Sequence, residues 1–195
     1  MSRIPLPEPE TMTPEQRAVH DKVVSGRRGR IRGPLRAALY NPELADRWQA
    51  LGELLRYRTS LSPRLSEIAI LVTALATQSP FEWDAHRAEA ENAGVERELV
   101  EALLAGSGPA ALSGDDALVA EFAGELNRYN SVSTPTYQRA VARFGALGVV
   151  ELTALVGYYT MVAMTLNAHE IPLPEGVAPA FALPQHAALN GMHAA

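Results

Sequence analysis

Residues 56–94, RYRTSLSPRLSEIAILVTALATQSPFEWDAHRAEAENAG, decide how this chain folds. Ser62-Pro63 and Ser79-Pro80 each place a capping hydroxyl just before a proline, the arrangement that opens a helix. Between them Ile68, Leu71, Val72 and Leu75 recur at helical spacing, and no strict alternation of a half-buried strand appears. The stretch therefore predicts two helices joined by a short turn. On the second, Ser79, Glu82 and His86 are separated by three and then four residues, so they share one face with Glu82 and His86 one turn apart. A carboxylate beside an imidazole orients the ring and equips it to carry protons near neutral pH.

The same letters have a plainer reading. Ser79-Pro80-Phe81-Glu82 is a capping box, with the serine at the N-cap and the glutamate reaching back to its amide. Glu82 then only caps, and His86 faces solvent or a neighbouring subunit. Local pattern leaves both readings open.

Working outward, Thr13-Pro14-Glu15-Gln16, Asn41-Pro42 and Thr134-Pro135 repeat the cap-then-proline device. Ser113-Gly114-Asp115-Asp116 offers a capping box for a helix ending near Tyr129, and Leu99, Ala102 and Leu103 mark a shorter helix at about residues 96–105. Gly94 and Gly145 stand where glycine ends helices. The expected fold is all-α, with about seven to eight helices over residues 13–170. Prolines at 5, 7 and 9 and at 172, 174, 179 and 184 set apart extended arms, residues 1–12 and 171–195, that wrap a neighbouring subunit or stay loose. Residues 149–166, VVELTALVGYYTMVAMTL, are apolar nearly all round and about as long as a short membrane span. Glu151, Gly157, three threonines and two tyrosines, without a flanking basic cluster, favour a helix buried centrally or between subunits.

Composition narrows the function classes. With 195 residues, 47% of them hydrophobic, the chain can close one substantial core. A net charge of -5 spread over both signs gives no basic field for nucleic acid. Cysteine is absent, which excludes disulfides, thiolate metal sites and iron-sulfur clusters. His20, His86, His169, His186 and His193 form no pair at metal-binding spacing, so no metal is expected. The first residues lack an apolar signal core, and a cytoplasmic location without membrane association is the expectation.

The register Glu67-x11-Ser79-x2-Glu82-x3-His86 resembles the motif of the carboxymuconolactone decarboxylase family, whose fold the AhpD-like peroxidases share. The likeness is closest over about residues 29–106 and extends more generally through YYTMVAMTLNAHEIPLPEG. In the peroxidase branch the positions of Ser79 and Glu82 are cysteines, and a relay histidine stands at Phe81. Thiol peroxidase chemistry needs an attacking and a resolving thiol, so it is excluded here. The decarboxylase branch carries a Glu-x3-His pair, which Glu82 and His86 reproduce.

The resemblance implies a cofactor-independent lyase that releases CO2 from a small carboxylated metabolite, such as one derived from aromatic degradation, and quenches the electrons with a proton. His86 would be the acid, Glu82 would hold its tautomer, and Glu67 would be a second proton carrier or an orienting partner. Ser79 would hydrogen-bond the substrate. Arg27, Arg28, Arg30 and Arg32 cluster in a Gly-Arg loop, while Arg56, Arg58 and Arg64 flank the Glu67 helix. Arg30 and Arg58 are the expected carboxylate clamps. Assembly as a homo-oligomer, a trimer or hexamer, is also implied. Two alternatives stand beside this reading: a lactone hydrolase or isomerase using the same His/Glu pair, and a noncatalytic oligomeric binding protein.

Overall fold

A computed structural model describes residues 2–106 and 111–182. Within them eight α-helices and no strand are found: α1 (Pro14–Ser25), α2 (Pro34–Ala38), α3 (Pro42–Tyr57), α4 (Pro63–Ala76), α5 (Pro80–Asn92), α6 (Arg97–Leu104), α7 (Gly114–Tyr129) and α8 (Thr134–Ala168). The capping side chains of Thr13, Asn41 and Ser62 accept from the backbone amides of Gln16, Leu44 and Leu65, as the cap-then-proline pattern requires. The five-residue α2 is the one helix the pattern does not reveal. Gly33, at φ 49°, and Pro34 start it.

Helix α4 is the hub, packed by α5, α7 and α8. Ile68, Ala69 and Leu71 are fully buried on it, and each buried Ile or Leu contributes roughly 1.5–3 kcal/mol. A three-residue turn returns the chain to α5. Gln78 adopts the left-handed conformation at φ 51°, its N–H donates to the Leu75 carbonyl, and the Ser79 N–H donates to that of Ala74. This is a Schellman cap built without glycine. Asn167 on α8 braces it by donating to the Thr77 carbonyl at 2.9 Å. Ser79 thus closes α4 and opens α5 at once, and the antiparallel pair that results sets Glu67 against His86.

Gly94 (φ 89°) ends α5 as expected. Gly145, at φ 69° and ψ 175°, breaks α8 into two segments. Within this chain the second segment is not buried on every side, which sets aside the central alternative and leaves burial between subunits. Leu152, Leu155, Val156, Tyr158, Tyr159, Val162 and Leu166 face the core, whereas Leu147, Val150, Met161 and Met164 are exposed. Its neighbours α2, α3, α4, α5 and α7 leave that outer side of the helix uncovered among the described residues. By length and composition alone α8 could cross a membrane; in this fold its inner side completes the core. Asn127 on α7 locks the register of three helices by donating to Thr73 Oγ1 on α4 (3.1 Å) and accepting from Thr160 Oγ1 on α8 (3.3 Å).

The described parts of both arms, residues 2–12 and 171–182, lie on their own chain. The Arg3 amide donates to the His169 carbonyl (2.8 Å), the Tyr40 hydroxyl to that of Pro5 (2.7 Å), and Arg36 to those of Leu6 and Pro7. At the other end Phe181 meets Trp83 edge-on, with ring centroids 6.4 Å apart. Pro184, His186 and His193 fall outside the described residues.

Candidate active site

The capping box expected at Ser79 does not form. Ser79 is the N-cap of α5, yet its side chain makes no capping bond, and Glu82 turns its carboxyl inward. Glu67, Glu82 and His86 are all buried, at 8%, 5% and 6% exposure. The partner that grips the imidazole is Glu67, from α4: its Oε2 lies 2.7 Å from His86 Nδ1. A carboxylate only accepts, so Nδ1 carries the hydrogen, and Nε2 is the ring atom left toward Glu82, 3.7 Å away. Of the two roles the sequence left open for Glu67, this contact fits the orienting one, and it takes over the hold on the tautomer expected of Glu82. Tyr159 seats the ring from α8, edge-on at 5.0 Å between centroids.

Glu82 has a different task. Burial, the largest influence, pushes its carboxyl above the ordinary carboxylate range, with Glu67 adding to the rise; His86, Arg56 and Arg28 oppose it. Its Oε2 has no hydrogen-bond partner among the described residues. A folded-state pKa above the unfolded one means that the native state holds this proton more tightly. Stability from that proton is complete below the ordinary value of 4.5 and is lost as pH rises through the elevated folded value. Glu82→Gln, which keeps shape without titrating, is therefore expected to raise the melting temperature at pH 8, by about 2–4 °C per kcal/mol recovered. At pH 4 the gain should vanish. Thermal scans of both proteins across this range check it.

His86 and Glu82 open onto a cavity of about 730 Å³, a size suited to a small molecule. Tyr158 and Tyr159 form one wall, Pro174 of the C-terminal arm part of another, and Arg27, Arg28, Arg30, Arg32 and Arg56 ring the space. Burial raises the phenol pKa of both tyrosines, so they meet a ligand as neutral donors. The Nε atoms of Arg28 and Arg56 are buried and find no acceptor among the described residues. Arg28 also points Nη2 at the Tyr158 hydroxyl, 3.5 Å away. This approach depends on Gly52 of α3, where a β-carbon would collide with both the Tyr158 hydroxyl and the Arg28 guanidinium.

Of the residues singled out in the sequence, His86, Glu82 and Arg30 line the cavity, and Glu67 stands behind His86. Ser79 is fully buried but absent from the cavity wall, and its hydroxyl has no partner among the described residues. Arg58 is an exposed residue at the end of α3 and does not line the cavity; Arg56 does. The sequence held that distinction, because Arg56 lies one turn beyond Gly52 on the inward stripe of α3, while Arg58 lies past the last turn. Arg64 is spent elsewhere, on Asp116 at 2.8 Å and Glu96 at 2.6 Å. Arg28, Tyr158 and Tyr159 were seen only as members of a basic loop and an apolar helix. No group of three or more His, Asp or Glu among the described residues is arranged to hold a metal ion.

Comparison with known proteins agrees with this architecture. A peroxidase-related protein from Ralstonia eutropha JMP134 with an alkylhydroperoxidase AhpD core superposes with a TM-score of 0.74 at 15% identity, over 89% of this chain and 93% of that one. A peroxidase-related protein from Silicibacter sp. TM1040 superposes with a TM-score of 0.72 at 17% identity, over 88% and 91%. At such identities the likeness establishes an AhpD-like fold. No curated protein sequence matches this one. The family model that does match is that of the carboxymuconolactone decarboxylase family: residues 42–123 of this cysteine-free chain, from α3 into α7 and taking in Glu67, Ser79, Glu82 and His86, are similar to it.

Proposed function

We propose that the protein is a cofactor-independent lyase that decarboxylates a small carboxylated, conjugated lactone or related acid by proton transfer. The observation that carries this reading is the buried Glu67–His86–Glu82 array at the wall of an arginine-lined cavity. In such a reaction the C–C bond to the departing carboxylate breaks, CO2 leaves, and the electron pair passes into the conjugated carbonyl. The carbon that gains electron density then takes a proton. His86, paired through Nδ1 with Glu67, delivers it from Nε2, and the protonated carboxyl of Glu82 resupplies the ring.

The arginines bear on which carboxylate leaves. A guanidinium clamped on the departing group would stabilise the ground state and oppose decarboxylation. Arg28 and Arg56 therefore fit a second, retained anionic group, which implies a substrate with at least two acidic functions. The test is to incubate the protein with a panel of dicarboxylated and monocarboxylated lactones while following CO2 and product by mass. CO2 release in step with substrate loss, faster for the dicarboxylated members, is expected. Consumption with gain of water and no CO2 would make it a hydrolase, and tight binding without turnover would make it a binding protein.

A further inference from the structure

The outer side of α8 carries a row of side chains that the other described residues leave uncovered. Leu147, Val150, Ala154, Gly157, Met161 and Met164 follow at alternating intervals of three and four residues, the spacing of a helix–helix seam, and all six are exposed. Leu147, Val150, Met161 and Met164 expose 64%, 66%, 37% and 65% of their surfaces. Residues 152–168 include no charged side chain, so nothing along this length of the row repels a second apolar surface.

The order of sizes identifies the occupant. Large, large, small, small, large, large reads identically in both directions about a midpoint between Leu155 and Val156. A two-fold axis demands that symmetry of a surface that pairs with itself, and an unrelated partner does not. We propose that this row is a homodimer interface in which two α8 helices lie antiparallel about an axis at that midpoint. Ala154 then meets Gly157 of a second copy, Val150 meets Met161, and Leu147 meets Met164. The small residues at the axis let the backbones approach to about 8 Å, and the larger pairs fill the diverging ends. The four large side chains offer roughly 400 Å² per copy, against about 800 Å² in an ordinary stable interface. Leu44, Leu51 and Leu54 are also exposed on α3, which packs against α8. A hexamer with two-fold axes contains such a contact, whereas a bare three-fold ring does not.

The absence of cysteine makes the register directly measurable. In the double variant Leu147→Cys/Met164→Cys, a bismaleimide about 10 Å long should join two copies in high yield, at the interaxial distance above. Leu147→Cys alone should not cross-link, because its two copies would stand about 25 Å apart along the axis. Light scattering should give a dimer or an even multiple, and Val150→Glu should halve the mass with unchanged helical circular dichroism. A monomer at 50–100 µM (roughly 10²-fold above a micromolar Kd) would overturn the proposal. So would efficient cross-linking of Leu147→Cys alone, an odd-numbered assembly indifferent to Val150→Glu, or Val150-dependent co-flotation with phosphatidylcholine vesicles, which would assign the row to a lipid surface.

Discussion

His86→Ala is expected to lower turnover of a decarboxylated substrate by about two to four orders of magnitude, the range for loss of a positioned proton donor. Substrate affinity should change far less if, as proposed, the cavity-lining arginines Arg28, Arg30 and Arg56 rather than the ring hold the anionic groups. Glu67→Gln should produce a smaller loss. Its amide oxygen still accepts from Nδ1, so the tautomer survives, but the negative charge that steadies the imidazolium is gone. Steady-state kinetics on the three proteins, with circular dichroism to confirm retained helicity, separates the roles. A loss confined to KM in His86→Ala would mean that the ring binds and does not transfer the proton.

Trp83→Ala is expected to carry the largest stability cost in the chain, about 3–5 kcal/mol, as for buried aromatics generally. Trp83 is 1% exposed and sits between Glu82 and His86 in sequence, on the adjoining face of α5, roughly a quarter-turn or less from each. It keys that helix into the core while its neighbours face the cavity. In a chain of this size the loss corresponds to a fall in melting temperature of roughly 6–20 °C. Trp83→Phe should recover much of it by refilling most of the volume. Calorimetry on both variants decides; a fall under about 1 kcal/mol for Trp83→Ala, the size of a surface effect, would mean that α5 is anchored elsewhere.

Much of the architecture was legible because its signals are local. Cap-then-proline pairs at Thr13, Asn41, Ser62 and Ser79 mark helix starts directly, and Gly94 marks an end. The turn at Gln78 was hidden, since a left-handed glutamine has no sequence signature and is held there by Asn167, far along the chain. For the same reason the box at Ser79 was misleading. Spacing alone gives Ser79 and Glu82 the right offset to bond one another, but tertiary packing draws the glutamate into the cavity instead. Pairing within α5 was readable, while the shorter contact from Glu67 required knowing how two helices dock. Among the arginines, helix phase favoured Arg56 over Arg58, and only long-range folding could show that Arg28 meets Tyr158.

Gly52 has a consequence for how any ligand is selected. Since the bare backbone of α3 is what admits the phenol and guanidinium to their shared position, their tips are seated by main chain rather than by adjustable rotamers. Little motional freedom remains there for a guest to quench, so discrimination at that end should follow shape and charge closely. A methyl group added at this one position, outside the proton-transfer array, would redraw the recognition surface while leaving the acid-base chemistry in place.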